Sequence, residues 1–165
     1  MGDCGSPATP WHQMENLFKG KFLHSLDHKG RISVPKAFKQ IIGKEARDLV
    51  ILKGFDGCLF IYTKSGWLWQ QGELQKIPLF VENARRVERM LLENAYDTTM
   101  DSVGRVKIPN ELLVEVSFDK EVLVLGVSRR IEIWNPKDYE EYKRQTDMPI
   151  EQLAEKLFPG WGSNA

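Results

Sequence analysis

Asp27-His28-Lys29-Gly30-Arg31-Ile32-Ser33-Val34-Pro35 returns as Asp101-Ser102-Val103-Gly104-Arg105-Val106-Lys107-Ile108-Pro109, at a shift of 74. Asp, Gly, Arg and Pro match in place, and between Arg and Pro both copies alternate apolar, polar, apolar. The likeness extends outward. Phe38 falls on Leu112 at the same shift. At a shift of 72, Leu52 falls on Val124, Gly54 on Gly126, and Leu59, Ile61 and Tyr62 on Ile131, Ile133 and Trp134. The change of shift implies a loop two residues longer in the first copy. Matches that persist over such a span identify an internal duplication.

Each copy reads as the same string of elements. A strand enters over Gly20–Leu26, or Tyr96–Met100, and meets a tight turn at Asp27–Gly30 or Asp101–Gly104. Asp starts such turns and Gly accepts positive φ, so Asp27, Gly30, Asp101 and Gly104 are the turn residues. A period-two strand follows (Ile32, Val34; Val106, Ile108), and the first copy therefore resembles a short hairpin. Pro35 and Pro109 end that strand and suit the first turn of a helix, Lys36–Ile42 or Asn110–Val116. Two more strands close each copy: Leu49–Lys53 with Leu59–Tyr62, and Glu121–Val127 with Arg130–Trp134. Helices are expected at Ser65–Leu74, Phe80–Asn94, Pro136–Arg144 and Pro149–Phe158.

The organisation expected is a disordered extension at 1–13, a first half at 14–80, and a second half with a linking helix at 81–145. A C-terminal helix and tail at 146–165 completes it. No apolar run approaches the roughly 20 residues that span a bilayer, and the first residues lack the basic start and apolar core of a secretory signal. Cys4 and Cys58 support neither a disulfide framework nor a metal site. A cytoplasmic protein without a membrane partner is expected.

The formal net charge is zero, but it is unevenly spread. Residues 15–64 carry ten Lys/Arg against five Asp/Glu, whereas residues 111–165 carry seven against eleven. One region can face a polyanion while another stays acidic. No Gly-rich phosphate loop, Cys/His nucleophile pair or metal cluster is present, so neither an enzyme nor a cofactor is expected. His24 and His28 bracket the first turn without a third ligand at useful spacing.

The paired motif Leu26-Asp-x-Lys-Gly-Arg-Ile-Ser-Val-Pro35 and Met100-Asp-x-x-Gly-Arg-Val-x-Ile-Pro109, with the Arg-rich stretch running into Ala95, resembles the MraZ family. The resemblance covers roughly Met14 to Tyr142. It implies an α+β, mainly β fold: a pseudo-two-fold swapped-hairpin (AbrB-like) barrel built from two tandem half-repeats, with flanking helices. It also implies a nucleoid-associated, ring-shaped homo-oligomer that binds double-stranded DNA at short direct repeats upstream of the division and cell-wall gene cluster. The residues expected to contact that DNA are Lys29, Arg31, Arg105 and Lys107. Each Arg follows a turn glycine and can fork onto phosphate or guanine. The competing account is that each Arg pins its turn by pairing with the Asp four residues earlier. Ser102-Val103 in place of His28-Lys29 makes the second turn less basic. For Arg85, Arg86 and Arg89, pairing with Glu82, Glu88 and Glu93 is the default expectation, and subunit contact ranks above DNA contact. Readings from other classes are an oligomeric protein-interaction scaffold and an AbrB-like antitoxin.

Overall fold

The computed structural model describes residues 17–145 and 148–160. The expected 1–13 extension and the tail at Trp161 lie outside these residues. Among the described residues eight strands form: β1 (Phe18–Ser25), β2 (Arg31–Ser33), β3 (Leu49–Lys53), β4 (Leu59–Thr63), β5 (Ala95–Thr98), β6 (Arg105–Lys107), β7 (Glu121–Ser128) and β8 (Arg130–Trp134). Six α-helices, with a 3-10 turn at Gly43–Glu45, accompany them there: α1 (Lys36–Ile42), α2 (Lys64–Gln75), α3 (Glu82–Leu92), α4 (Asn110–Glu115), α5 (Pro136–Arg144) and α6 (Ile150–Leu157). Pro35 and Pro109 stand one position before α1 and α4, as their N-caps. None of these helices is long and apolar enough to cross a membrane.

Strand pairing departs from the hairpin expected at the first turn. β1 and β2 share only the bridge Leu26–Ile32. β1 instead pairs antiparallel with β7 of the other half, and β2 with β6. The three-residue β2 meets β6 because that pairing buries Ile32 against Val106 in the central core, while the eight residues of β1 find eight partners along β7. The result is a six-stranded sheet ordered β1-β7-β8-β4-β3-β5 beside a separate β2-β6 ribbon. Exchange each strand for its repeat equivalent and this order reads the same backwards. The two halves are thus related by a pseudo-two-fold, and each lends one outer strand to the other.

The registers locate the axis. Ile32 faces its own repeat equivalent, Val106, in the ribbon. In the sheet, Phe60 faces Glu132 between the symmetric pairs Leu59–Ile133 and Ile61–Ile131. Period two then divides the sheet cleanly into two faces. Leu49, Ile51, Leu59, Ile61, Val122, Val124, Ile131 and Ile133 point to one side, where they pack with Ile32, Val34, Phe38, Val106, Ile108 and Leu112. The ribbon, α1 and α4 close that central core. Phe38 is fully buried, edge-on to Phe18 and Phe22 at 5.3 and 5.2 Å between ring centroids.

The opposite face carries Leu52, Phe60, Tyr62, Leu123, Leu125 and Trp134, packed against Trp67 of α2, Leu91 of α3 and Tyr139 of α5. Glu132 takes the place that Phe60 holds in the first half. Its buried carboxylate accepts from Arg130 Nε at 2.9 Å and from Trp134 Nε1 at 3.0 Å, and the Arg130 guanidinium lies 4.6 Å over the Phe60 ring. A buried charge is tolerable when it is paired in this way. Cys58 donates to Phe55 O at 3.2 Å, and burial, with Glu132 nearby, pushes its thiol far up, so it stays an inert core residue.

Candidate nucleic-acid interface

Both motif turns are built by the same local chemistry. Asp27 Oδ1 accepts from the backbone N–H of Lys29 and of Arg31, each at 2.9 Å, and Oδ2 accepts from Arg31 Nε at 2.7 Å. Asp101 repeats this with Val103 N–H at 3.0 Å, Arg105 N–H at 2.9 Å and Arg105 Nε at 2.9 Å. Gly30 and Gly104 adopt φ of 72° and 86°, the left-handed region where a side chain would be strained.

The turns are also tied across the pseudo-axis. Ile108 N–H donates to Gly30 O at 2.8 Å, and Val34 N–H donates to Gly104 O at 3.0 Å. Lys107 Nζ donates to Lys29 O, while Lys39 of α1 donates to Val103 O at 3.1 Å. Nothing local in the sequence marks Lys39 as a clasp, because its partner lies 64 residues away.

The ribbon register decides which site residues come together. Arg31 pairs opposite Lys107, and Ser33 opposite Arg105. Alternation buries Ile32 and Val106 on the inner face, which leaves Arg31, Arg105 and Lys107 together on the outer one. Lys29 is exposed at the first turn. Because β2 and β6 run antiparallel, the two turns stand at opposite ends of the ribbon. Each arginine engages its aspartate through Nε, and its two terminal nitrogens donate to no described residue. The ion pair therefore fixes the direction of the guanidinium without occupying its fork. Pinning the turn and offering a bidentate donor are compatible roles.

Partial burial pushes the Asp27 carboxyl upward, but the Arg31 backbone N–H, the Arg31 side chain and the Lys29 N–H together bring it down from 3.8 to about 2. Asp101 is lowered by the matching Arg105 contacts. A carboxylate with a depressed pKa adds stability that is fully present above its unfolded value and fades as pH falls through the folded one. The melting-temperature gap between the protein and its Asp27→Asn variant is thus expected to be widest near neutral pH. It should close between about pH 4 and pH 2. A gap as wide at pH 2 as at neutral pH in thermal scans would show that the turn owes nothing to the charge of Asp27.

Among the described residues, no group of three or more His, Cys, Asp or Glu is placed to hold a metal ion. The pairing expected along α3 does not form. Arg85, Arg86 and Arg89 make no ion pair with Glu82, Glu88 or Glu93 among the described residues, and Arg85 instead donates to Leu79 O at 2.8 Å. The carbonyl of the α2–α3 linker competes successfully for that guanidinium.

A sequence profile described as "MraZ protein, putative antitoxin-like" matches residues 17–90 and again 91–159. The chain belongs to the MraZ family. Two profile matches in tandem agree with the duplication read from the motif. Among relatives in this family, a protein of Moorella thermoacetica named "Transcriptional regulator MraZ" is 38% identical over 141 residues, covering 86% of this chain and 96% of that protein. Proteins of the same name from Caldanaerobacter subterraneus subsp. tengcongensis and Natranaerobius thermophilus are 36% and 33% identical, each over 86% of this chain and 96% of theirs.

Proposed function

We propose that this MraZ-family chain is a sequence-specific transcriptional regulator and not an enzyme, with the outer face of the β2-β6 ribbon as its reading head on double-stranded DNA. The observation that carries this reading is the ribbon register, which gathers Arg31, Arg105 and Lys107 on one face while Ile32 and Val106 anchor the other in the core. A two-stranded ribbon fits the major groove, and oriented guanidinium forks suit guanine edges or phosphates. In this reading the sheet and ribbon form a swapped-hairpin barrel around the central core. Identical subunits form a ring, so that several heads hold several direct repeats upstream of a division and cell-wall gene cluster at once. The site of action is the nucleoid of the cytoplasm.

Lys29 and Arg31 then have different duties. Lys29 is exposed with its ammonium in solvent, so it serves as a point charge for phosphate. Lys29→Ala is expected to weaken all duplexes alike and to flatten the salt dependence of binding by about one unit per lost phosphate contact. Fluorescence polarisation across a salt series checks this, using the duplex upstream of the chain's own coding sequence and a scrambled control. An unchanged slope would remove Lys29 from the interface. Equal affinity of the unmodified protein for both duplexes would overturn sequence-specific reading itself.

A further inference from the structure

The outer face of the sheet differs between the two halves. β4 and β8 are equivalent at a shift of 72, and each runs directly into a helix capped by a side chain at the junction, Thr63 for α2 and Asn135 for α5. Carried into the helices, the same shift sets Trp67 on Tyr139 and Gln70 on Tyr142. The first ring of each helix packs alike: Trp67 lies 5.7 Å from Tyr62, and Tyr139 lies 5.1 Å from Trp134. One turn later the halves part. Tyr142 covers Trp134 with a second ring at 5.2 Å, whereas Gln70 brings none to Tyr62.

Beside Tyr62 there remains a pocket of about 200 Å³, walled by Phe55, Phe60, Tyr62 and Trp67 and also lined by Gln71 and Arg130. That is room for one ring, since an apolar cavity of about 150 Å³ takes up benzene. Two polar groups narrow the choice of occupant. The side-chain Nε2 of Gln71 is buried without an acceptor among the described residues, and a buried donor left unpaired is costly until it meets an acceptor. Arg130 adds no free charge, because Glu132 holds its Nε at 2.9 Å and its Nη2 at 2.7 Å. The walls therefore suit a neutral flat ring, stacked offset or edge-on against its neighbours.

We propose that this pocket binds a small neutral aromatic molecule carrying a hydrogen-bond acceptor. Its ring takes over Tyr62 the place that Tyr142 holds over Trp134, and its acceptor meets Gln71 Nε2. The second half of the chain is the template, because duplication built both outer faces on one plan and filled only one of them from within. The pocket lies on the face of the sheet opposite the central core and its ribbon. Ligand and DNA thus occupy separate surfaces, and this site stands or falls independently of the reading head.

The probe is p-cresol, the tyrosine side chain cut free, with toluene as the same ring lacking the hydroxyl. Ligand-detected saturation-transfer NMR on the full chain, without DNA, gives a dissociation constant for each, and circular dichroism certifies folding of the variants. The unmodified protein is expected to bind p-cresol. Gln70→Tyr supplies the second half's ring from within, so it should weaken p-cresol by about tenfold or more, as two rings cannot share one close-packed space. Gln71→Leu keeps the volume and removes the donor. The preference for p-cresol over toluene should then fall by about 2–10-fold, the worth of one hydrogen bond. A folded Gln70→Tyr chain that binds p-cresol as tightly as the unmodified one would overturn the site, as would an unmodified chain that binds none. A preference unmoved by Gln71→Leu would overturn the acceptor and with it the class of ligand. If Gln70→Tyr fails to fold, the Gln71→Leu comparison decides alone.

Discussion

Replacing Arg31 with alanine is expected to weaken DNA binding by about 5–150-fold for each engaged subunit, the equivalent of about 1–3 kcal/mol for a lost bidentate base contact. When several subunits hold one duplex, these losses multiply, and the apparent affinity falls much further than for a single head. The geometry explains why the side chain matters beyond its charge. Asp27 takes only Nε, at 2.7 Å, and so leaves the terminal nitrogens without an acceptor among the described residues. Arg31→Lys keeps the charge but loses the planar fork, so it should retain non-specific binding and lose sequence preference. Arg105→Ala should cost less, because its turn carries Val103 where the first carries Lys29. A purely structural role forecasts something else: Arg31→Ala would lower the melting temperature through Asp27 and leave affinity per folded molecule intact. Full affinity for the upstream duplex from an intact Arg31→Ala assembly would show that the ribbon face is not the reading head.

Truncation after Val81 is expected to abolish cooperative folding of the remaining half. Eight of the seventeen buried residues in the central core come from the second half: Val106, Ile108, Leu112, Val116, Val122, Val124, Ile131 and Ile133. Each fully buried apolar side chain contributes about 1.5–3 kcal/mol. Together those eight are comparable with or larger than the roughly 5–15 kcal/mol by which a typical domain is stable. The truncated chain also strips β1 of β7, β4 of β8 and β3 of β5. The bared strand edges then invite dimers or aggregates. Scattering, dye binding and urea unfolding of residues 1–81 would read this directly. A monomer with a single sharp unfolding transition would mean that each half is its own domain.

Much of the secondary structure was legible because its causes are local. Strands 49–53 and 130–134 and helices 36–42 and 136–144 fall where period, proline and turn chemistry place them. The aspartate-centred hydrogen bonds that shape the Asp-x-x-Gly-Arg turn are likewise local, spanning at most four residues. The Arg-rich helix shows the limit of such reasoning. Intrahelical i, i+4 spacing permits ion pairs along α3, but a linker carbonyl captured Arg85 and no described carboxylate took the others. The spacing of side chains states which contacts are possible, not which competitor wins.

The amino-acid order by itself determined the duplication, the order of elements, the two turns and the family. Only the tertiary structure decided which strand lies beside which. Backbone ladder bonds are blind to side-chain identity, so Arg31–Ser33 could pair equally well with its own hairpin neighbour or with Arg105–Lys107 of the other half. The choice falls to the central core, where burying Ile32 against Val106 beneath the sheet requires the two short strands to meet each other. That long-range burial, and no local signal, brings Arg31, Arg105 and Lys107 onto one face and sets Lys39 against a turn 64 residues away.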